Sequence, residues 1–532
     1  MLISFLRRQM FQIKEGGMRV FGQKAKKLFK LLYMGLLAPA AVRLRIDWPE
    51  AYYFVLLRLR KQYKEICSDP ACDGSLSRRI QLERRIVDCI EKYTAHGPDL
   101  TDLSVFISAS TFAVNFCYTG QEFARSMGIL RNAEAMRHQI LKSHQLDELN
   151  IEFIPGQIPL GCVGVWENVE AYIKAGMLGL RAPKQLVLLL DPKSRVNNPC
   201  YLKYWRRYMT VISDPLSIQT LLPLEKCMTV PIHCYMPFQG RAMLGPQALG
   251  FVRKQWDEEK RPALLTLSND DLEKGWKRLN SLGVPDRAWF VCFHVRESGW
   301  NDNGHSGDFR NSDIKTYAPA VKAVVDAGGW VIRMGDPGMT PSPPMDHVVD
   351  YAHSDAKSDW MDIFLCSQCR FLVGTSSGVH TISSAFGVPV VMTNCLPAAA
   401  MYQFCAKDIF IPRLCLSKDG NDHLSFRELM CPPVSMATEQ RVYDRLGLKV
   451  IENTPEEIRD IVMEMLMRES SAFQYSPEDG SLQEQFKSLS ARCGPLYGDD
   501  DIVVSARMGR DFLRKYAGLL PAGVMEECRN KG

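Results

Sequence analysis

The run Trp289-Phe-Val-Cys-Phe-His-Val-Arg-Glu297, followed eighty residues on by Gly374-Thr-Ser-Ser-Gly378-Val-His380, decides how this chain folds. Trp289 to Phe293 is a short apolar run of high β-propensity with polar residues after it, the pattern of a strand buried on both faces. Apolar residues at Tyr317, Ala320, Val321, Val324 and Val325 then fall at helical spacing, and Gly328-Gly329 stops that helix before a second strand, Trp330-Val-Ile332. His347 to Asp350 reads as a third strand, Trp360 to Cys366 as a helix and Phe371 to Val373 as a fourth strand. A loop from Gly374 to Gly378 opens a helix over Val379 to Phe386, and Gly387-Val-Pro389 ends it before a fifth strand, Val390-Val-Met392. Strands and helices alternating at this spacing imply a doubly wound parallel sheet, which takes ligands beyond the carboxyl ends of its strands.

That edge has the outline of a phosphate site. A loop of small residues opening a helix offers unpaired backbone N–H groups, and Thr375, Ser376 and Ser377 add hydroxyl donors. His294 and Arg296 alternate on one face as their strand runs out, and the Arg fork of donors matches a pyrophosphate. An ordinary N-cap and a surface Arg would look the same one at a time; it is their occurrence in one unit that points to a ligand.

Size and composition set the frame. A chain of 532 residues exceeds a single core, so two or three domains are expected. Hydrophobic content of 46% with 23% charged residues excludes a disordered or fibrous protein. Seventeen scattered Cys do not form a disulfide framework and suit a reducing compartment, the cytoplasm. Residues 1 to 45 hold ten Lys and Arg against one acid, Glu15, so they carry +9 where the whole chain carries +5 and the remainder −4. This excludes a basic nucleic-acid-binding body and leaves a basic arm. The apolar run from Leu31 to Val42 is twelve residues, interrupted by Gly35 and Pro39, where a bilayer span takes about twenty. The arm therefore reads as an amphipathic segment for an anionic membrane surface.

Five regions follow: a basic amphipathic arm (1–45), a helical domain (46–148), an N-terminal Rossmann-like domain (149–285), a C-terminal Rossmann-like domain (286–470) and a helical tail (471–532). In the helical domain, residues 52–66, 77–93, 104–118 and 121–141 carry helical periodicity without a repeating unit. In the first Rossmann-like domain, strands are expected at 151–154, 184–190 and 209–212, with helices at 166–175 and 201–208 and a Gly161–Gly164 loop facing the cleft. Leu264 to Leu282 includes the helix taken as the link between the domains. Beyond Leu466 the chain reads as polar until a helix at 503–519.

Several motifs carry weaker signals. Cys366-Ser-Gln-Cys369 has no second pair at zinc-ribbon distance and reads as core cysteine. Asp499-Asp500-Asp501 follows Gly498 with no buried strand leading in, so it reads as a solvated turn and no metal site is expected. Gly374-Thr-Ser376-Ser-Gly378 matches the Gly-x-Ser-x-Gly elbow of serine hydrolases, but a hydrolase leaves His294 and Arg296 unexplained.

The residues His294-Val-Arg296 and Gly374-Thr-Ser-Ser-Gly378-Val-His380, with Ala385-Phe-Gly387-Val-Pro389 after them, resemble the donor domain of GT-B glycosyltransferases. His-x-Arg is similar to the fucosyltransferase branch, in which the Arg holds the pyrophosphate of a GDP-sugar. Ser-Gly-x-His followed by Ala-x-Gly-x-Pro is similar to the heptosyltransferases, which use ADP-heptose. From Trp289 to about Leu466, including Asn453-Thr-Pro-Glu-Glu-Ile458, the chain most resembles a family of bacterial glycosyltransferases of unassigned substrate. Glu297 departs from the second basic residue usual in the α1,6-fucosyltransferase motif. The resemblance implies a GT-B-like α/β fold of two facing Rossmann-like domains with, here, an N-terminal helical extension. It implies a metal-independent hexosyl or deoxyhexosyl transfer from a nucleotide-sugar, which is a co-substrate and not a cofactor. The acceptor would be a glycan, a lipid-linked molecule or a protein, as in polysaccharide biosynthesis on the inner face of the membrane. The donor would be held by His294, Arg296, Ser376, Ser377, Gly378 and His380, with Arg310 and Asn311 near the nucleotide or sugar and Gly335-Asp336 at a ribose or base edge. Glu297, Asp308 or Asp191 would be the base of an inverting transfer, with Arg296 acting on the leaving diphosphate. A sugar-nucleotide epimerase of the same fold and a non-catalytic interaction protein are the alternatives.

Overall fold

The computed structural model describes residues 81, 84–90, 103, 123–230, 232, 235–238, 241–297, 309–417, 420, 422–431, 433–438, 440–468, 473–493 and 503–521. The basic arm, most of the helical domain, Asp308 and the Asp499–Asp501 triplet lie outside them. The chain divides into two compact units, residues 1–116 with 128–143, and residues 117–127 with 144–532. In the first, Ile86, Val87 and Ile90 are buried at helical spacing. The helix expected at 121–141 runs over Phe123–Ser143. No helix among the described residues is long and apolar enough to cross a membrane.

The second unit begins with a parallel sheet of β1 (Ile151–Phe153), β2 (Gln185–Leu189) and β3 (Met209–Ile212), in that order. Its strands lie within a residue or two of the expected positions, because Leu186 to Leu190 are all buried and leave a strand little freedom of register. The Trp166–Met177 helix follows a 3₁₀ turn, Val163–Val165, where a plain glycine loop was expected. Trp166 stacks on Trp205 at 5.5 Å, and Tyr201 meets both rings edge-on. Asn198 caps the Pro199–Trp205 helix by accepting from the Tyr201 amide at 2.8 Å, with Pro199 at the first helical position. A hairpin, β4 (Tyr235–Phe238) with β5 (Arg241–Leu244), then leads to the Gly245–Glu258 helix, and the linking helix expected within 264–282 is Asn269–Asn280.

A larger all-parallel sheet follows, made of β6 (Phe290–His294), β7 (Trp330–Arg333), β8 (Val348–Val349), β9 (Leu372–Gly374), β10 (Val390–Cys395) and β11 (Ile409–Pro412). A small antiparallel pair, β12 (Leu414–Ser417) with β13 (Leu448–Ile451), lies beside it. The seventh strand of the large sheet, β14 (Arg507–Met508), pairs with β11, so the order is β14-β11-β10-β9-β6-β7-β8. Every residue of β6 is buried, the reason its sequence is an unbroken apolar run. The α/β class read from the sequence is therefore the one the protein has.

The carboxyl-terminal segment differs from the expectation. Residues 471–532 were read as a helical tail that stays polar up to a helix at 503–519. Instead they hold a 17-residue helix, Pro477–Cys493, then β14 and a short helix, Arg510–Lys515. Phe486, Leu489 and Cys493 of the long helix are buried at helical spacing, but polar residues between them mask the pattern. Asn453, within the Asn453-Thr-Pro stretch singled out from sequence, exchanges two bonds with Asn394 at the end of β10, at 2.6 and 2.8 Å. Thr454 and Glu457 then form a reciprocal cap on the Pro455–Arg468 helix.

The two sheets are joined through the Gly245–Glu258 helix, which crosses the Ala398–Gln403 turn that follows β10 so closely that a Cβ on Gly250 would stand 2.0 Å from the Tyr402 carbonyl oxygen. A backbone carbonyl cannot swing aside. Gly250→Ala is expected to destabilise the protein by about 1–3 kcal/mol or more through overpacking. Chemical denaturation checks it, and a midpoint equal to wild type would refute the close approach.

Candidate active site

The large sheet reverses direction between β6 and β9: the chain runs outward from β6 to β7 and β8 on one side and from β9 to β10 and β11 on the other. Loops leaving neighbouring strands at such a switch point diverge and leave a crevice. Here the two loops are tied at their base, where Thr375 N–H donates to the His294 carbonyl at 3.3 Å and Arg296 N–H donates to the Thr375 hydroxyl at 3.0 Å. A cavity of about 830 Å³ opens above them. Its large-sheet wall includes His294, Arg296, Glu297, Arg310, Gly335, Asp336, Ser377 and Gly378, and its opposite wall Gly161, Cys162, Arg195 and Asn198.

The two walls meet through glycine. A Cβ on Gly378 would lie 2.6 Å from both the Cys162 sulfur and the Gly164 nitrogen, and one on Gly164 would lie 2.9 Å from the Gly378 Cα. Thr381 Oγ1 also reaches the Val163 carbonyl at 3.3 Å. On the far side of the cavity Asn198 Nδ2 donates to the Asp359 carbonyl at 3.0 Å. The same asparagine thus caps a helix of one wall and holds the first residue of a helix in the other.

Of the candidate donor-site and base residues singled out from sequence, eight line the cavity, Asp308 lies outside the described residues, and the remaining described ones sit behind the cavity or elsewhere. Asn311 accepts from Arg296 Nε at 3.3 Å and so holds the guanidinium rather than facing the cavity. Ser376, the hydrolase-elbow position, accepts from the Leu396 amide at 3.0 Å, and no histidine is bonded to it. His380 turns back on its own loop, its Nδ1 bonded to the Ser377 carbonyl and its buried Nε2 without a partner. Asp191 accepts from the Lys193 amide at 2.9 Å in an exposed turn and is absent from the cavity wall. The Val379–Ala385 helix is seven residues long, so its dipole adds little to what the loop amides offer. Cys366 and Cys369 are buried core residues.

The charges are unevenly satisfied. Burial, with Arg296 nearby, pushes the Arg310 guanidinium below its usual range, and its buried Nε has no hydrogen-bond partner. Two like charges thus stand close together on one wall of the cavity, one of them with an unmet donor. Lys357 is committed to Asp362, at 2.8 and 2.5 Å, and burial nevertheless raises the Asp362 carboxyl. Arg195 stands exposed at the opposite wall, with no ion pair or hydrogen bond among the described residues. Burial first, then Arg333 and Lys357, drives His294 from 6.5 to about 3, so it is a neutral ring whose Nδ1 lies 3.2 Å from Ser377 Oγ.

The carboxylates separate by environment. Glu297 accepts from the Thr340 amide at 2.7 Å and faces Arg333 at 3.7 Å, which makes it an anchor for the loop after β7. Asp336 closes that loop by accepting from the Gly338 amide at 3.0 Å. Asp359 lines the cavity with its backbone fixed by Asn198 and its side chain exposed and unpaired.

Sequence reasoning expected the loop that holds Cys162 to face the cleft, and it does, but it passed over Arg195, Asn198, Lys357, Asp359 and Asp362. The signal available was local: Asn198-Pro199 and Ser358-Asp359 are each a capping residue followed by a helix start. Which cavity those helices face is a tertiary fact.

No family model matches the sequence, and no curated protein is significantly similar to it. Among solved structures the chain is similar to a glycosyl transferase family 9 protein from Veillonella parvula DSM 2008, with 11% identity, 49% of this chain and 85% of that one covered, and a TM-score of 0.32. It is also similar to the iron-containing dodecameric glycosyltransferase TibC from enterotoxigenic E. coli H10407, with 13% identity, coverage of 49% and 62% and a TM-score of 0.29. The iron-containing heptosyltransferase TibC in complex with ADP-D-beta-D-heptose matches with 12% identity, coverage of 60% and 76% and a TM-score of 0.30.

Burial lowers His380 as well, from 6.5 to about 4. The unfolded chain takes up both protons near pH 6.5 while the folded one refuses them, so the stability these neutral rings contribute is present above pH 6.5 and lost as pH falls toward 4 and 3. Each histidine is expected to add a slope of up to about 1.4 kcal/mol per pH unit in that window. His294→Gln and His380→Gln should each flatten the fall in stability measured by denaturation from pH 7 to 4. Slopes identical to wild type would show that these rings titrate freely.

Proposed function

We propose that the protein is a glycosyltransferase that moves a hexosyl or deoxyhexosyl group from a nucleotide-sugar to a glycan, lipid-linked or protein acceptor. The observation that carries this reading is the pairing of Arg296 with the unmet Arg310 on one wall of a cavity at the sheet's switch point. Two adjacent guanidiniums suit a diphosphate better than a single phosphate, because each finds its own anionic oxygen. As the bond from the anomeric carbon to the diphosphate breaks, negative charge grows on the leaving oxygens, and these cations stabilise it without a bound metal. His294, being neutral, contributes a hydrogen bond through its ring and no third charge, and Ser377 fixes the ring's orientation. The loop of Gly335 and Asp336 lies at the ribose or base end, as the edge of the donor site.

The wall carrying Gly161, Cys162, Arg195 and Asn198 receives the acceptor. A cavity of about 830 Å³ is at the upper end of the size of ordinary ligand sites, ~300–1,000 Å³, which suits a donor and the head of a second substrate. Proton transfer from the acceptor hydroxyl falls to Asp359, whose carboxylate is open, ahead of Glu297, one of whose oxygens accepts from the Thr340 amide while the other is buried and faces Arg333 at 3.7 Å. Asp308 keeps the role the sequence offered it as a further candidate, outside the described residues.

The experiment starts from a thermal-shift screen against GDP, UDP, ADP, CMP and dTDP sugars, since a ligand at a hundredfold excess over its Kd stabilises by about 2.7 kcal/mol. With the donor so found and EDTA present throughout, wild type is expected to turn over. Arg296→Ala and Arg310→Ala should each lose about thirty- to a thousandfold in kcat/KM, and the double variant should lose less than the product of the two because they share one diphosphate. Wild-type activity in both single variants would refute the donor site.

A separate comparison assigns the base. Asp359→Asn should keep donor affinity and lower kcat by about a hundredfold or more, whereas Glu297→Gln should chiefly loosen the loop it anchors. A kcat loss confined to Glu297→Gln would reverse the assignment.

A further inference from the structure

Far from the cavity, Cys431 and Cys493 place their sulfurs 3.9 Å apart. Cys431 ends the Phe426–Met430 helix, and its amide is fixed by the Glu428 carbonyl. Cys493 is the last residue of the Pro477–Cys493 helix. The two helices are packed by Phe426 against Phe486, edge to face with centroids 5.9 Å apart, so the sulfurs are brought together by the core and not by a chance approach of loops. Cys493 is buried and Cys431 half-buried, which leaves one sulfur within reach of solvent and one protected behind it. The buried thiols Cys292, Cys366 and Cys369 have no such opening to solvent.

We propose that Cys431 and Cys493 form an oxidisable dithiol site that takes a hydroperoxide as its oxidant and closes to an intramolecular disulfide. Their exposure assigns the roles: half-buried Cys431 is the sulfur a peroxide can reach, and buried Cys493 stands behind it. The contact between the two thiols, with Arg427 beside Cys431, lowers the Cys431 thiol. Cys431 is thus the thiolate that attacks and Cys493 the thiol that resolves. In the first step the Cys431 thiolate attacks the peroxide oxygen, the O–O bond breaks, and with one proton taken up the products are a Cys431 sulfenic acid and an alcohol, or water from hydrogen peroxide. In the second step the Cys493 sulfur displaces the sulfenic hydroxyl, which leaves as water with the thiol's proton. Two thiols lose two electrons in all and the peroxide gains them. Sulfurs 3.9 Å apart need to approach by about 2 Å to reach disulfide length, a rotation of side chains rather than a movement of helices. The bond would close a loop of sixty-two residues in sequence separation and pin the long helix, whose Ser490 carbonyl accepts from Tyr402 at 2.8 Å, to the layer behind the Ala398–Gln403 turn.

The test treats the full-length reduced protein with stoichiometric hydrogen peroxide, alkylates the remaining thiols and maps peptides by mass spectrometry. A Cys431–Cys493 peptide pair lighter by two hydrogens, released by dithiothreitol, is expected, at a rate that rises with pH as Cys431 ionises. Its formation should raise the melting temperature by a few degrees. Cys493→Ser should leave a sulfenic acid on Cys431 that a dimedone probe captures, and Cys431→Ser should leave Cys493 unreacted; Cys493→Ala serves if the serine variant fails to fold. Oxidation that spares this pair while other cysteines react would overturn the proposal, as would dimedone capture at Cys493 with Cys431 intact.

Discussion

The arrangement of this molecule depends on one contact in which two residues without side chains let two polypeptide backbones touch. Gly164 and Gly378 stand where any Cβ would come within 3 Å of the other loop. Glycine's bare backbone is used here for proximity and not for an unusual torsion angle. Because those loops leave the two sheets at their ligand-binding edges, their contact sets the depth of the cavity and brings Cys162 and Arg310 within electrostatic reach of each other. A larger residue at either point would lift one wall off the other and dilute every interaction the cavity offers.

The charges around that contact are arranged by a division between committed and uncommitted groups. Lys357 with Asp362, and Glu297 with Arg333 and Thr340, spend their interactions on holding loops in place. Arg310, Arg195 and Asp359 do not. In a folded protein an unmet buried donor is costly, and Arg310 carries one on the cavity wall. Arg296 belongs with the committed groups, its Nε held by Asn311 while its side chain borders the cavity.

How much of this could be read in the sequence follows from which signals are local. Strands such as Phe290–His294 and Val390–Cys395 are buried on both faces and therefore written as apolar runs, and glycine punctuation at Gly328 and Gly387 marks where their helices stop. That His294, Arg296 and Ser377 border the cavity was legible because loops at the carboxyl ends of such strands diverge at the switch point. Asp359 and Arg195 were not, since nothing local tells which helix start faces the same space as another sheet's loops. The Pro477–Cys493 helix and β14 escaped for a different reason: a two-residue strand has no periodicity, and the helix hides three buried apolar positions among ten polar ones. His380 and Asn311 were read as ligand contacts because their spacing fits, whereas their bonds go to Ser377 and Arg296.

Arg253 has a bearing on how the two sheets are held together. Its guanidinium is fully enclosed, paired with Glu170 at 3.1 Å and Glu167 at 3.6 Å on the first sheet's helix, and bonded to the Gln403 carbonyl beyond β10. Pulling the sheets straight apart would strip a buried cation of its partners, at about 3–5 kcal/mol. Arg253 is therefore a buried tie with partners on both sides, and it holds the first sheet's helix to the turn beyond β10 as a rivet holds two plates.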